Sequence, residues 1–452
     1  MRLPPGLRAV MSAESNETPD DSGAWRFSMP QAVPSYLIAL AAGDIQFRST
    51  GPRTGVYGEP GVLKEAVFEF GGIERTLRLM EDAFGPYRWT RYDVLVLPPS
   101  FPYGGMENPR LTFCTPTVIT GDRMLVSLLF HELAHSWSGN LVTNASWNDF
   151  WLNEGFTQYL TYRLLELQFG RARADVERVR GWADLKESMA QREKADWPLV
   201  RNPAVKDPDA AFSAIPYERG ALFLTWLEAQ VGRQAFDDFL RGWFTDHAFQ
   251  SVGTSQFVAY LNEKLLAQYP EKVAPAQVEA WLYRPEIPSF AILPHSESLQ
   301  RVDLDREAWL QGRISLDQLP VSNWSVHEWE QFLDNMPGIV TLEKVELLDA
   351  RFKFSETSNA IVASKWFRLA IRHGHKGAYP ALQRYLGAVG RISLIKPLYV
   401  ELVKTADGAA FARKIYARVQ GFYHPITRKA VESVLNEKKM SDVSDSQIGA
   451  TV

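Results

Sequence analysis

The chain is predicted to be mainly α-helical with an α+β part in its first half. Three observations carry this. Short apolar runs flanked by Gly and Pro, the signature of strands, fall within about the first hundred residues. From Asp122 onward the apolar residues recur at helical spacing. Beyond residue 300 that spacing continues to about residue 436, interrupted only by short turns.

Taken in order, residues 11–24 are polar and turn-rich and read as a surface loop. Residues 35–40 (SYLIAL) and 94–97 (VLVL) read as strands. Between them, Val62, Phe68, Leu77 and Met80 predict one helix over residues 61–84. Helices are further predicted over 127–138, over 149–169 with Asp149 as a first-turn acid, and over 217–231, entered through Pro216. The Pro-dense stretch 269–294 reads as an extended linker. The helices after it form stacked pairs, with turns at 373–377 and 387–390 and no clean repeat period. The tail 441–452 is expected to be disordered. The resulting division is 1–48, 49–270, 271–299, 300–440 and the tail.

The composition narrows the function. A net charge of -4 gives no basic surface for nucleic acid, and the cluster at 368–376 reads as a solvated face. Cys114 is the only cysteine, so no disulfide can form within the chain; it is expected to be a buried, inert thiol. No stretch reaches the roughly 18 apolar residues of a membrane span, and the N-terminus does not read as a signal peptide. A cytoplasmic location is the expectation.

The chemistry concentrates in HELAH, His131 to His135. Imidazoles at i and i+4 share one helix face, about 6 Å apart along the axis. That lets both reach one zinc ion at about 2.0–2.1 Å. Glu132 lies beside the first His, where a carboxylate can touch a metal-bound water without being a ligand. The same five residues also arise on ordinary helices, so context matters. A hydrolytic zinc takes three protein ligands and leaves one position open. Glu154, 19 residues after His135, is the candidate third ligand. It sits among Phe150, Trp151, Leu152, Phe156 and Tyr159, where a buried carboxylate needs a cation.

HELAHSWSGN (131–140), LNEGFTQY (152–159) and PYGGMENP (102–109) together resemble the gluzincin aminopeptidases of the M1 family, on the branch of leukotriene A4 hydrolase and aminopeptidase B. The likeness runs from about residue 11 to 425. It includes GPRT (51–54), LPPSFPYGGMENP (97–109), LVTNASWNDFWLNEG (141–155), IPYERG (215–220) and AWLYRP (280–285). It implies a thermolysin-like catalytic domain followed by an α-helical, HEAT- or armadillo-like C-terminal domain. It implies one Zn2+ per chain and short peptides with a free N-terminus as substrates. By the same resemblance Tyr103, Gly104, Gly105, Met106, Glu107 and Asn108 contact substrate, with Glu107 on its α-amino group. Gly104 and Gly105 suit this, because a residue without Cβ admits another backbone closely. Tyr217 matches the family's oxyanion donor. Asp209, Trp147 and Phe212 match pocket positions, and Arg391 matches an arginine that binds the substrate carboxylate.

Three departures stand out. The resemblance begins inside the family's N-terminal β domain, so residues 1–48 read as its last strands. Ser393 stands where the family usually has a Lys two residues after Arg391. Phe212 stands where the leukotriene A4 hydrolase branch has a Tyr linked to epoxide chemistry. Residual epoxide hydrolase or endopeptidase activity, or a catalytically impaired helical scaffold, are the alternative readings.

Overall fold

Gly71 and Gly72 divide the first helical stretch. In the computed structural model, which describes residues 1–16, 18–201 and 212–448 (side chains only to 436), it forms α1 (Pro60–Phe70) and α2 (Ile73–Phe84) rather than one helix. Two adjacent glycines carry the highest backbone entropy cost in a helix, so the chain breaks there. The run at 35–40 also departs from expectation. It is a 3₁₀ turn, Ser35–Leu37, leading into a strand.

The strands are β1 (Arg8–Met11), β2 (Glu14–Ser15), β3 (Phe27–Ser28), β4 (Leu40–Gly43), β5 (Gln46–Ser49), β6 (Thr54–Gly58), β7 (Tyr92–Val96), β8 (Gly105–Met106), β9 (Leu111–Cys114), β10 (Val142–Asn144) and β11 (Gln250–Val252). β1 pairs antiparallel with β4, and β2 with β3. The main sheet has the order β5-β6-β7-β9-β8. β5 and β6 are antiparallel, whereas β6 and β7 are parallel and joined through α1 and α2. Every residue of β7 is buried, as expected of an apolar central strand.

The chain divides into two compact units. The first comprises residues 1–95, 105–113 and 126–296. Beyond the sheet it holds α3 (Val126–Ala134), α4 (Trp151–Phe169), α5 (Arg171–Ala190), α6 (Gly220–Val231), α7 (Arg233–Asp246), α8 (Thr254–Lys264) and α9 (Pro275–Tyr283). α4 is its axis. It is buried on almost every face from Trp151 to Leu165 and packs on α3, α5 and α6. Asp149 does not serve α4 as expected. It lies in a preceding 3₁₀ turn and accepts from Thr254 N (2.9 Å) and Oγ1 (2.7 Å), thereby capping α8.

The Pro-rich stretch is not an extended linker, because it contains α9. Pro275 starts that helix at a position where its missing N–H costs nothing. The other end is closed by Arg219, which is fully buried. Its guanidinium donates to the carbonyls of Trp281 (2.9 Å), Pro285 (2.8 Å), Arg284 and, on the other side, Trp197 (2.8 Å). A fixed positive fork is well matched to unpaired carbonyls at a helix C-terminus.

The second unit comprises residues 96–104, 114–125 and 297–452. α10 (Glu297–Leu310), α11 (Val326–Asp334), α13 (Ala360–Arg372), α15 (Ile392–Leu402) and α17 (Pro425–Ile448) pack in succession. α12 (Leu342–Phe352) intervenes after α11, while α14 (Tyr379–Ala388) packs on α16 (Ala406–Val419). Ser325, Thr341, Asn359 and Thr405 cap four of these helices through side-chain oxygens, which is why the turns can be short. The loop after β7 is tied to this unit. Gly390 N donates to Pro99 O (2.8 Å) and Ile392 N to Pro102 O (2.9 Å). A Cβ on Gly390 would stand 2.7 Å from Ser100 Cα, so only glycine fits. The tail expected to be disordered continues α17 to Ile448; 449–452 lie outside the described residues. Cys114 is a buried thiol in no disulfide, and no helix among the described residues is long and apolar enough to cross a membrane.

Candidate metal centre and active site

His131 and His135 close the C-terminal end of α3. Their rings stand edge to face with centroids 4.7 Å apart. His131 Nδ1 faces Gln158 Oε1 at 3.0 Å; His135 Nδ1 faces the Ser138 carbonyl at 2.9 Å and Thr157 Oγ1 at 3.1 Å, whose own proton goes to the Ser138 carbonyl (3.0 Å), so each of these oxygens accepts from the imidazole. Each Nδ1 therefore carries a proton, so each Nε2 is the atom left to face a metal and offers it a lone pair once the imidazole is neutral. Those two Nε2 atoms lie 3.2 Å apart. Glu154, in the first turn of α4, brings Oε2 to 3.3 Å from His131 Nε2 and 3.4 Å from His135 Nε2.

Two lone pairs and a carboxylate oxygen converging in a buried space fit a metal cation. Glu154 Oε2 has no hydrogen-bond partner although it is out of water. Two nitrogens and one oxygen at this spacing suit zinc and leave a coordination position open. The electrostatics point the same way. Burial opposes charge on His135, yet Glu107, Glu154 and Glu132 outweigh it and push the imidazole up to about 10. Burial likewise opposes charge on Glu154, and the two histidines nonetheless hold its carboxyl below the usual range.

Glu132 and Glu107 form a second acidic group with His135, their ligand atoms all within 4.8 Å of one another. A Cβ on Gly105 would collide with the Glu132 carboxylate, so any side chain where β8 passes α3 would displace that carboxylate. Glu107 is positioned by its own carbonyl, which accepts from Asn140 Nδ2 at 2.7 Å. Met106 is half-buried beside it, and Asn108 is buried and turns the chain through Leu111 N donating to its carbonyl (3.0 Å).

Tyr217 arrives by a different route. It sits in a π-helical turn, Ile215–Arg219, that precedes α6. A Cβ on Gly155 would meet Gly220 Cα at 2.8 Å and Pro216 O at 2.9 Å. With no side chain at either glycine, the turn lies directly on α4, next to Glu154. The Tyr217 ring stacks on His131 (5.7 Å, 17°). Burial, then Glu154 and Glu107, push its hydroxyl well above the ordinary tyrosine range, so it remains a proton donor.

The first unit thus brings together His131, His135, Glu154, Glu132, Glu107, Gly105 and Tyr217. Trp147 packs on Tyr36 (5.7 Å) and Phe150 (5.6 Å), and Phe212 meets Phe150 edge-on (5.2 Å) while remaining exposed. Asp209 lies outside the described residues. Tyr103, Gly104 and Arg391 belong to the second unit. There Tyr103 is exposed, the Gly104 carbonyl accepts from Thr115 N (2.9 Å), and Arg391 Nη1 donates to Thr117 Oγ1 (3.3 Å). Reading the sequence missed Gln158, Asn140 and Tyr36. Tyr36 meets Asn153 Nδ2 at 3.3 Å, and burial followed by Glu107 raises its hydroxyl. Only Gln158 carries a sequence signal, being one helical turn after Glu154.

A helix pair that buries two imidazoles and a carboxylate around one point, with further carboxylates beside it, defines a metal-dependent hydrolase. Comparison with known proteins makes this specific. Residues 68–281 match the Peptidase family M1 domain, and 324–435 match the leukotriene A4 hydrolase C-terminal domain. Leucine aminopeptidase 2-1 of Meyerozyma guilliermondii is 37% identical over 432 residues, covering 90% of this chain and 69% of the relative. Yeast LTA4 hydrolase in complex with bestatin superposes with a TM-score of 0.86 at 32% identity, covering 95% of this chain and 72% of that one. An M1 zinc metallopeptidase from Deinococcus radiodurans, bound to Tyr-Ser-Ala, gives a TM-score of 0.53 at 25% identity over 64% of this chain and 63% of that one. The chain belongs to the M1 family of zinc metallopeptidases, with a catalytic domain and a helical C-terminal domain of the leukotriene A4 hydrolase type.

Proposed function

We propose that this protein is a zinc aminopeptidase that hydrolyses the first peptide bond of short peptides. The observation that supports it best is the convergence of His131 Nε2, His135 Nε2 and the unpartnered Glu154 Oε2 on one buried point. These three would hold one zinc ion, which when bound supplies a Lewis acid and an acidified water. Glu132, beside the cluster but outside the ligand set, takes the water's proton and passes it to the leaving amine. Tyr217 donates its hydroxyl to the oxyanion that develops on the scissile carbonyl. Glu107 anchors the substrate's α-ammonium by a charge-assisted hydrogen bond, which makes the enzyme count from the N-terminus. Gly105 lets the substrate backbone approach β8. Met106 and Asn108, on the same stretch of chain as Gly105 and Glu107, extend this contact.

The experiment is metal content together with turnover of arginyl, alanyl and leucyl anilides and their N-acetylated forms. About one zinc per chain, chelator-sensitive release from free-amine substrates and none from acetylated ones is the expected result. Glu132→Gln should retain the zinc and lose turnover. Absence of zinc in the folded protein would overturn the reading; turnover of acetylated substrates would replace it with an endopeptidase.

A further inference from the structure

The metal ligand His131 is the start of a closed ring of contacts within the first unit. Its Nδ1–H is accepted by Gln158 Oε1 at 3.0 Å. Gln158 lies one turn after Glu154 on α4 and hydrogen-bonds Tyr162, one further turn along the same face. The buried Tyr162 hydroxyl donates to Glu218 Oε2 at 2.7 Å. Glu218 is bonded in the chain to Tyr217, whose ring stacks back on His131. The far side of the ring is fixed by α5, where a Cβ on Gly181 would collide with both the Glu218 carboxylate and the Tyr162 hydroxyl. Tyr162 and Glu218 also line a cavity of about 390 Å³ bounded by residues of α4, α5 and α6.

We infer that Gln158 is a positioning residue for the metal ligand His131, itself locked in place by Tyr162 and Glu218. A side-chain amide at this position does two things. Its oxygen selects the Nδ1–H tautomer, which leaves Nε2 free to bind metal. Being neutral, it adds no further charge to a centre that already contains Glu107, Glu132 and Glu154. Its amide nitrogen, facing Tyr162, decides which end points at the imidazole. The same turn of the chain therefore presents Tyr217 to the site and fixes the ring of the imidazole that Tyr217 stacks on.

This inference rests on the zinc reading above, and its test separates the two. Zinc affinity of the full chain is measured by competition with a chromophoric chelator, alongside melting of the metal-free forms. Gln158→Leu, which keeps the bulk and removes the acceptor, is expected to weaken zinc binding about 10- to 100-fold. Gln158→Glu restores the acceptor and is expected to bind at least as tightly as wild type. Tyr162→Phe, which leaves the metal shell untouched, is expected to weaken zinc several-fold and carries the test if Gln158→Leu does not fold. Wild-type affinity in Gln158→Leu overturns the inference, as does wild-type affinity in Tyr162→Phe where that variant carries the test. Equal weakening by Leu and Glu overturns it too, since packing rather than the acceptor would then be at work. Wild-type protein that takes up no zinc would instead overturn the zinc reading.

Discussion

At the scale of single residues, the proposed mechanism separates groups that hold charge from groups that move protons. His131, His135 and Glu154 face one another at 3.2–3.4 Å, an arrangement that is costly unless a cation lies among them. In the proposed mechanism Tyr217 is not a ligand, and its hydroxyl, raised well above the ordinary tyrosine range, stays protonated. Tyr217→Phe is therefore expected to keep its zinc and lose on the order of a hundred- to a thousand-fold in kcat, as removal of one oxyanion donor does. Metal analysis and anilide kinetics on the same preparation check this, and unchanged turnover would remove Tyr217 from the reaction. The residues that bring the site its chemistry were readable from spacing: His131 and His135 from a helical period, Glu154 from an acid set in an apolar run. Asn140 was not, and Gln158 showed only its place one turn after Glu154, because an amide's role is set by a partner that only the folded chain supplies.

At the scale of elements, two contacts place the π-helical turn. One is the glycine contact between Gly155 and Gly220. Gly155→Ala would force α4 and α6 apart and is expected to cost about 1–3 kcal/mol, as overpacking does, with a matching fall in melting temperature; an unshifted melt would show that the helices adjust freely. The other is Glu218 under α5. Burial, partly offset by Tyr162, pushes its carboxyl up to about 8, whereas in the unfolded chain it titrates near 4.3. Between these values the folded chain holds a proton that the unfolded chain has released, so this contribution to stability is full below about pH 4 and is lost as pH rises through 8. Melting temperature should fall between pH 5.5 and 8.5, and Glu218→Gln should flatten that fall. An identical slope in the variant would place the effect elsewhere. Element boundaries were least legible where a local rule met a tertiary one. The helix over 61–84 is split by two glycines that the apolar periodicity runs across, and the prolines after 269 concealed α9, whose last carbonyls depend on Arg219 some sixty residues upstream.

At the scale of the whole molecule, the fold class was legible because it rests on long periodic segments, and the M1 family followed from short strings in a fixed order. With His131, His135 and Glu154 as ligands, metal binding should be felt across the first unit, since they lie on or next to α3 and α4, and α4 packs on α2, α3, α5 and α6. With free zinc at one hundred times its Kd, the gain in stability is expected to be about 2.7 kcal/mol. Stripping the metal should lower the melting temperature, and restoring zinc should reverse it; a melt indifferent to zinc would show that the ion does not bind the native state. The second unit is stitched from three separate stretches of chain, with Pro99 and Pro102 held by Gly390 and Ile392. On a ribosome adding about 5–20 residues each second, the early stretch waits roughly 15 to 60 s for those partners to be made. During that interval the loop after β7 has nowhere to dock, so a nascent chain stalled or cut before residue 390 would present it to chaperones and proteases.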